Sequence, residues 1–158
     1  MRGLSLPNLR RLALSALLLV VAALLVPALP EAAAETRSEP AFQIIVHPKN
    51  PTAALARDWV AQAFLKRTTR WHDGTAIKPV DLHPDSAVRR TFSRTILSRS
   101  VAAVRNYWRQ RLFSGRDIPP PELESDAAVA RYVAKHEGAI GYVAAGSEHP
   151  DVKIVIVR

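Results

Sequence analysis

Ser86, Ala87, Val88 and Arg89, followed by Arg90 and Phe92, are the residues of this chain whose types and spacing could do chemistry. Val88, Phe92 and Ile96 recur every four positions behind the serine, which predicts a helix opening at Ser86. The first N–H groups of a helix have no partner within it, and the helix dipole places partial positive charge there. An oxyanion can therefore sit at such a terminus without a dedicated cation. With Ser86 as cap, its hydroxyl and the N–H groups of Ala87 and Val88 converge on one point. Arg89 and Arg90 are near enough in sequence to add charge-assisted hydrogen bonds. The plainer alternative is a serine that caps its own helix beside a solvated arginine face. Both readings stand at this level.

Other constellations carry less. His47, His72, His83, His136 and His149 are scattered without ligand spacing, so no metal site is expected. No G-x-S-x-G elbow occurs, and neither a catalytic residue nor a cofactor is predicted; the chain reads as a binding protein and not an enzyme. Trp59, Trp71, Tyr107 and Trp108 offer stacking faces, but their helical spacing suits a core. Arg99, Arg105, Arg109, Arg111 and Arg116 make the region after the serine turn strongly basic. That region is either a solvated helix face or a surface that docks on an acidic partner or anionic headgroups.

The elements that must position the serine turn follow from periodicity. Phe42–Val46 is rich in β-branched residues and reads as a buried strand. Asn50-Pro51 reads as the start of a helix near 52–66, with Leu55, Trp59, Ala63 and Phe64 on one face. Strands are expected at 77–82, 140–143 and 152–157, all in one sheet. Helices are expected at 86–97, 100–113 and 125–137, the last stopped by Gly138. Trp59, Phe92, Trp108 and Val133 should be largely buried. Alternating strands and helices imply an α/β domain with a mostly parallel sheet flanked by helices.

The first thirty-four residues look like an export signal. Arg2, Arg10 and Arg11 precede an apolar stretch from Leu12 to Leu29, and Ala32 to Ala34 supply small residues for cleavage. A retained anchor is the rival, since about eighteen apolar residues approach the minimum for a bilayer span. Residues 35–41 are expected to be a disordered new terminus, and 42–158 one domain. The chain has no cysteine, so no disulfide or lipoprotein anchor is available. A soluble periplasmic protein is the expectation. Residues 35–158 keep 19 basic and 13 acidic residues. Such a balance in an exported protein suits an anionic solute or envelope component better than nucleic acid.

Two motifs then acquire a common meaning. Ser86-Ala87-Val88-Arg89-Arg90-Thr91-Phe92 resembles the S-G-T-R-x-x-F turn of the PstS-like phosphate-binding branch of the periplasmic substrate-binding proteins. Gly138 to Val143 resembles the G-A-I-G-Y strand near the end of the same lobe, and Trp71, Gly74, Ile77 and Pro79 fit the W-x-x-G-x-x-I-x-P run before the serine turn. Ala87 and Val88 replace the family's glycine and threonine, and Leu82 stands where an arginine is usual. The resemblance implies a single lobe of that fold, binding phosphate or a related oxyanion through Ser86, Ala87, Val88 and Arg89. It implies ABC-type uptake or sensing, with a permease, sensor or second copy of the chain as partner. The alternative is a periplasmic interaction module that keeps the fold without a ligand.

Overall fold

The computed structural model describes residues 41–158. The expected leader at 1–34 and all of the polar segment except Ala41 lie outside the described residues. Phe42–Val46 (β1) is the middle strand of a five-stranded sheet, and its Ile44, Ile45 and Val46 are fully buried. It pairs antiparallel with Ala139–Ala144 (β6), Phe42 opposite Ala144 and Val46 opposite Ile140. On its other side it pairs antiparallel with Lys153–Val157 (β7). Ala54–Leu55 (β2) runs parallel to β7, and Lys78–Pro79 (β3) parallel to β6, giving the order β2-β7-β1-β6-β3. Four strands share one direction and β1 alone opposes them. The sheet is thus mostly parallel in strand direction, but its longest pairings are antiparallel.

Helices Arg57–Phe64 (α1), Ala87–Thr95 (α2), Val101–Phe113 (α3) and Asp126–Lys135 (α4) accompany the sheet. Successive strand residues face opposite ways. On β6, Tyr142 turns toward α1 and α2, where it meets Phe64 and Phe92. Gly141 turns toward α4; a Cβ there would lie 2.7 Å from Val129 and 3.2 Å from Val133. The glycine lets helix and strand approach, and at this position the α4 face of β6 has no room for a side chain. Val88, Phe92 and Ile96 are buried as their spacing predicts, as are Trp108 and Val133, whereas Trp59 is half-buried against Trp71. Among the described residues no helix is long and apolar enough to cross a membrane.

Two expected elements are corrected. The helix near 52–66 starts later, at Arg57. Asn50 does not cap it; its side-chain oxygen accepts from Thr52 N in a local turn. The stretch from Ala53 to Leu55 is instead drawn into the sheet by Ile156 N to Ala53 O and Arg158 N to Leu55 O. The strand at 77–82 belongs to two sheets. Lys78 N and Val80 N donate to Gly138 and Ile140 of the main sheet, while Asp81 N and His83 N donate the opposite way, to Pro121 and Leu123. Asp81–Leu82 (β4) thereby pairs parallel with Glu122–Leu123 (β5). The period of two explains the switch: even-numbered N–H groups face β6 and odd-numbered ones face away. Pro79, with no N–H, falls on the side that needs none from it.

Candidate functional site

The segment after β4 delivers the serine turn. His83 O accepts from Ser86 N at 3.0 Å, closing the turn, and Ser86 takes the extended conformation of a helix cap. Its Oγ accepts from Arg89 N at 3.3 Å, and its carbonyl accepts from Arg90 N at 3.1 Å. A serine that accepts through its lone pairs still holds a hydrogen to donate outward. Ala87 is exposed and the Val88 side chain buried. No acidic residue lies in the first turn of α2. Arg90 remains exposed and donates to Asp85 O at 2.7 Å.

Arg89 goes elsewhere than expected. Its side chain is 1% exposed and points under the helix, not onto a solvated face and not toward the open terminus. The guanidinium is paired with the buried Asp81 carboxylate, donates to Leu82 O at 3.3 Å, and lies 3.7 Å from Glu122. Asp81 also accepts from the Tyr142 hydroxyl and from Leu82 N at 3.1 Å. Arg89 Nε and the nearby buried Ser93 Oγ have no hydrogen-bond partner. The structure thus brings Ser86, Ala87 and Val88 to one helix end and places the charge of Arg89 beneath that turn, neutralised by Asp81. In this arrangement the guanidinium commits Nη1 to Asp81 and Leu82 O. Asp81 and Tyr142 are the members that sequence reasoning missed. An acid in the apolar run Val80-Asp81-Leu82 was the available signal, since carboxylates are buried only when paired.

Burial pulls the Arg89 guanidinium below its ordinary value, with Tyr142 and Glu122 opposing the shift. Burial likewise pushes the Tyr142 phenol well above its ordinary value, and Arg89 only partly offsets this. A phenol that holds its proton more tightly when folded favours the folded state at neutral pH. That advantage is complete below the unfolded value near 10 and is lost as pH rises beyond it. Stability should fall by about 1.4 kcal/mol per pH unit above pH ~10 through this group alone. Urea unfolding between neutral pH and pH ~12 checks this, and Tyr142→Phe should flatten the alkaline slope. An unchanged slope in the variant would assign it to other groups.

Among the described residues no group of three or more histidines and acids is placed to hold a metal. No family model matches the chain, and no curated protein matches it in sequence. Solved structures do match in fold. An ABC-type phosphate transport receptor from Vibrio cholerae superposes with a TM-score of 0.59 at 18% identity, covering 75% of this chain and 46% of that one. A phosphate ABC transporter substrate-binding protein with bound phosphate from Clostridium perfringens gives 0.60 at 17%, covering 75% and 45%. PstS from Borrelia burgdorferi gives 0.58 at 11%, covering 75% and 47%. These neighbours are binding proteins rather than enzymes. The chain has the fold of a single lobe of PstS-type phosphate substrate-binding proteins, and spans less than half the length of the solved chains it matches.

Proposed function

We propose that this chain binds an oxyanion, phosphate foremost, at the N-terminus of α2, in support of ABC-type uptake or sensing. The observation that carries the reading is the opening of α2 on this fold. Ser86 caps the helix with a hydroxyl hydrogen left to donate, Ala87 is exposed, and no carboxylate stands in the first turn. Ser86, Ala87 and Val88 are the contacting residues. Arg89 is the brace that fixes their turn against β4 through Asp81, and Arg90 is the remaining cation within reach.

Such a site is weak by construction. Two charge-assisted hydrogen bonds at about 1.5–3 kcal/mol each and a helix terminus at about 0.3–2 gather roughly 3–8 kcal/mol gross in an open lobe. Association costs roughly 4 kcal/mol or more, which leaves Kd in the millimolar range at best. Tighter capture requires a second wall, from another chain or a second copy of this one.

Calorimetric titration with phosphate and with sulfate in low salt tests the reading. Ser86→Ala should weaken binding by about 1–3 kcal/mol. Arg116→Ala, outside the site, should change it only through a screened long-range effect. Silence toward both anions at about 10 mM, roughly ten times the best Kd expected, would leave Ser86 a plain cap. The second reading, an interaction module without a ligand, would then take its place. The internal neutralisation of Arg89 by Asp81 is the observation that favours it.

A further inference from the structure

From Ser86 to Arg116 the chain holds eight arginines and no aspartate or glutamate. The oxyanion site uses little of that charge. Arg105 and Arg109 are exposed along α3, and Arg116 just beyond its C-terminus. The same end of the helix presents large apolar side chains to water: Leu112 is 54% exposed, Phe113 89% and Ile118 64%. The periodicity that buries Val104 and Trp108 would place Leu112 inward as well, yet it lies outside the core. The loop carrying Ile118 is tied down, since Lys66 Nζ donates to Ile118 O at 2.9 Å. Asp117, the first acid after the run, is held by Lys66 at 3.5 Å and Arg111 at 3.6 Å, so little free negative charge opposes the arginines.

We propose that this end of α3 and its following loop dock on an anionic lipid surface, with Phe113, Leu112 and Ile118 entering the interface and the arginines meeting headgroup phosphates. Two features favour a bilayer over a protein partner. Phe113 protrudes almost wholly into solvent instead of lining a recess, which suits insertion into a deformable surface. Beside it runs a groove of about 380 Å³ in which Arg105 and Arg109, one helical turn apart, flank an apolar lining that includes Trp108, Leu112 and Pro119. That pairing of guanidinium groups over apolar walls matches a phosphodiester headgroup with its first methylenes. Glu122 also lines the groove, and its carboxylate lies 3.7 Å from the Arg89 guanidinium. The residues involved are separate from Ser86, Ala87 and Val88, so the two proposals can fail independently.

The chain has no cysteine, so Ser114→Cys in the full-length chain accepts a single environment-sensitive fluorophore at the tip. Its emission should shift to the blue with vesicles containing phosphatidylglycerol and not with phosphatidylcholine alone. Phe113→Ser in that background should raise the lipid concentration needed at least about tenfold. Arg105→Glu and Arg109→Glu should each raise it about fivefold or more. All three side chains are exposed on α3, and unchanged unfolding curves confirm that the variants fold. A label at Ala127→Cys, exposed on α4 across the sheet, should not shift. The proposal is overturned if the Ala127 label shifts equally, which would mean that the leader alone recruits vesicles. It is also overturned if Phe113→Ser has no effect. An unshifted Ser114 label with anionic vesicles would overturn it in favour of an acidic protein partner.

Discussion

Replacing Arg89 by methionine should cost about 3–5 kcal/mol of folding free energy, because it leaves the buried Asp81 carboxylate without its counter-charge. Both side chains are almost wholly withdrawn from water, 1% and 4% exposed. The loss is therefore dominated by the stranded charge and not by the attraction removed. The double replacement Arg89→Met with Asp81→Asn should be less damaging than Arg89→Met alone. The amide is neutral and its oxygen can still accept from the Tyr142 hydroxyl, whose bond to Asp81 it would inherit. Salt should change little, since buried pairs are poorly screened; the exposed Lys49–Glu137 pair should respond instead. Urea unfolding of the two variants and the parent decides the matter. If Arg89→Met costs under about 1 kcal/mol, as an exposed pair would, then Arg89 is a surface group and its place beneath the turn is mistaken.

That expectation reverses the one the sequence invites. Two arginines behind a cap serine look alike in a single sequence, and helical spacing alone does not tell which one turns inward. Position settles it: Arg89 shares a face with Ser93, both buried, whereas Arg90 is exposed. The decisive partner, Asp81, comes from a strand whose change of sheet is invisible to a hydrophobicity pattern. The run from Ile77 to Leu82 reads as one strand, and only the alternation of its N–H groups between two partners divides it. Where local chemistry dominates, the reading holds. Ser86 caps α2 as its spacing predicts, accepting from Arg89 N, and Ser100 and Ser125 cap α3 and α4 by the same bond to the N–H three residues on. Where tertiary pairing competes with local preference it fails. Asn50-Pro51 has a good helix-starting pattern, yet Ala54 and Leu55 gain more by pairing with β7. The serine cap was legible in the sequence; the brace beneath it, built from residues in three separate elements, was not.

Phe92→Ala should cost about 3–5 kcal/mol, the range for emptying a large aromatic from a packed core. Phe92 is fully buried and lies flat against Tyr142, ring centres 3.8 Å apart and planes within 6°. Phe64 packs on it at 4.7 Å and Phe42 at 5.5 Å, so the ring touches α1, β1 and β6 at once. No single neighbour can collapse into the space it would leave. Phe92→Leu should recover much of the loss by refilling part of that volume. The same ring orients α2, because Tyr142 is the residue that both stacks on Phe92 and donates to Asp81. If Ser86 holds the proposed anion, loosening the stack should weaken that binding in proportion to the motion of the helix end, while leaving the charge of the site untouched. Denaturant unfolding with a parallel phosphate titration separates the two roles. A variant that keeps its stability but loses the anion would make Phe92 a ligand contact; the packing around it leads instead to a loss of stability, with any loss of anion binding following from it.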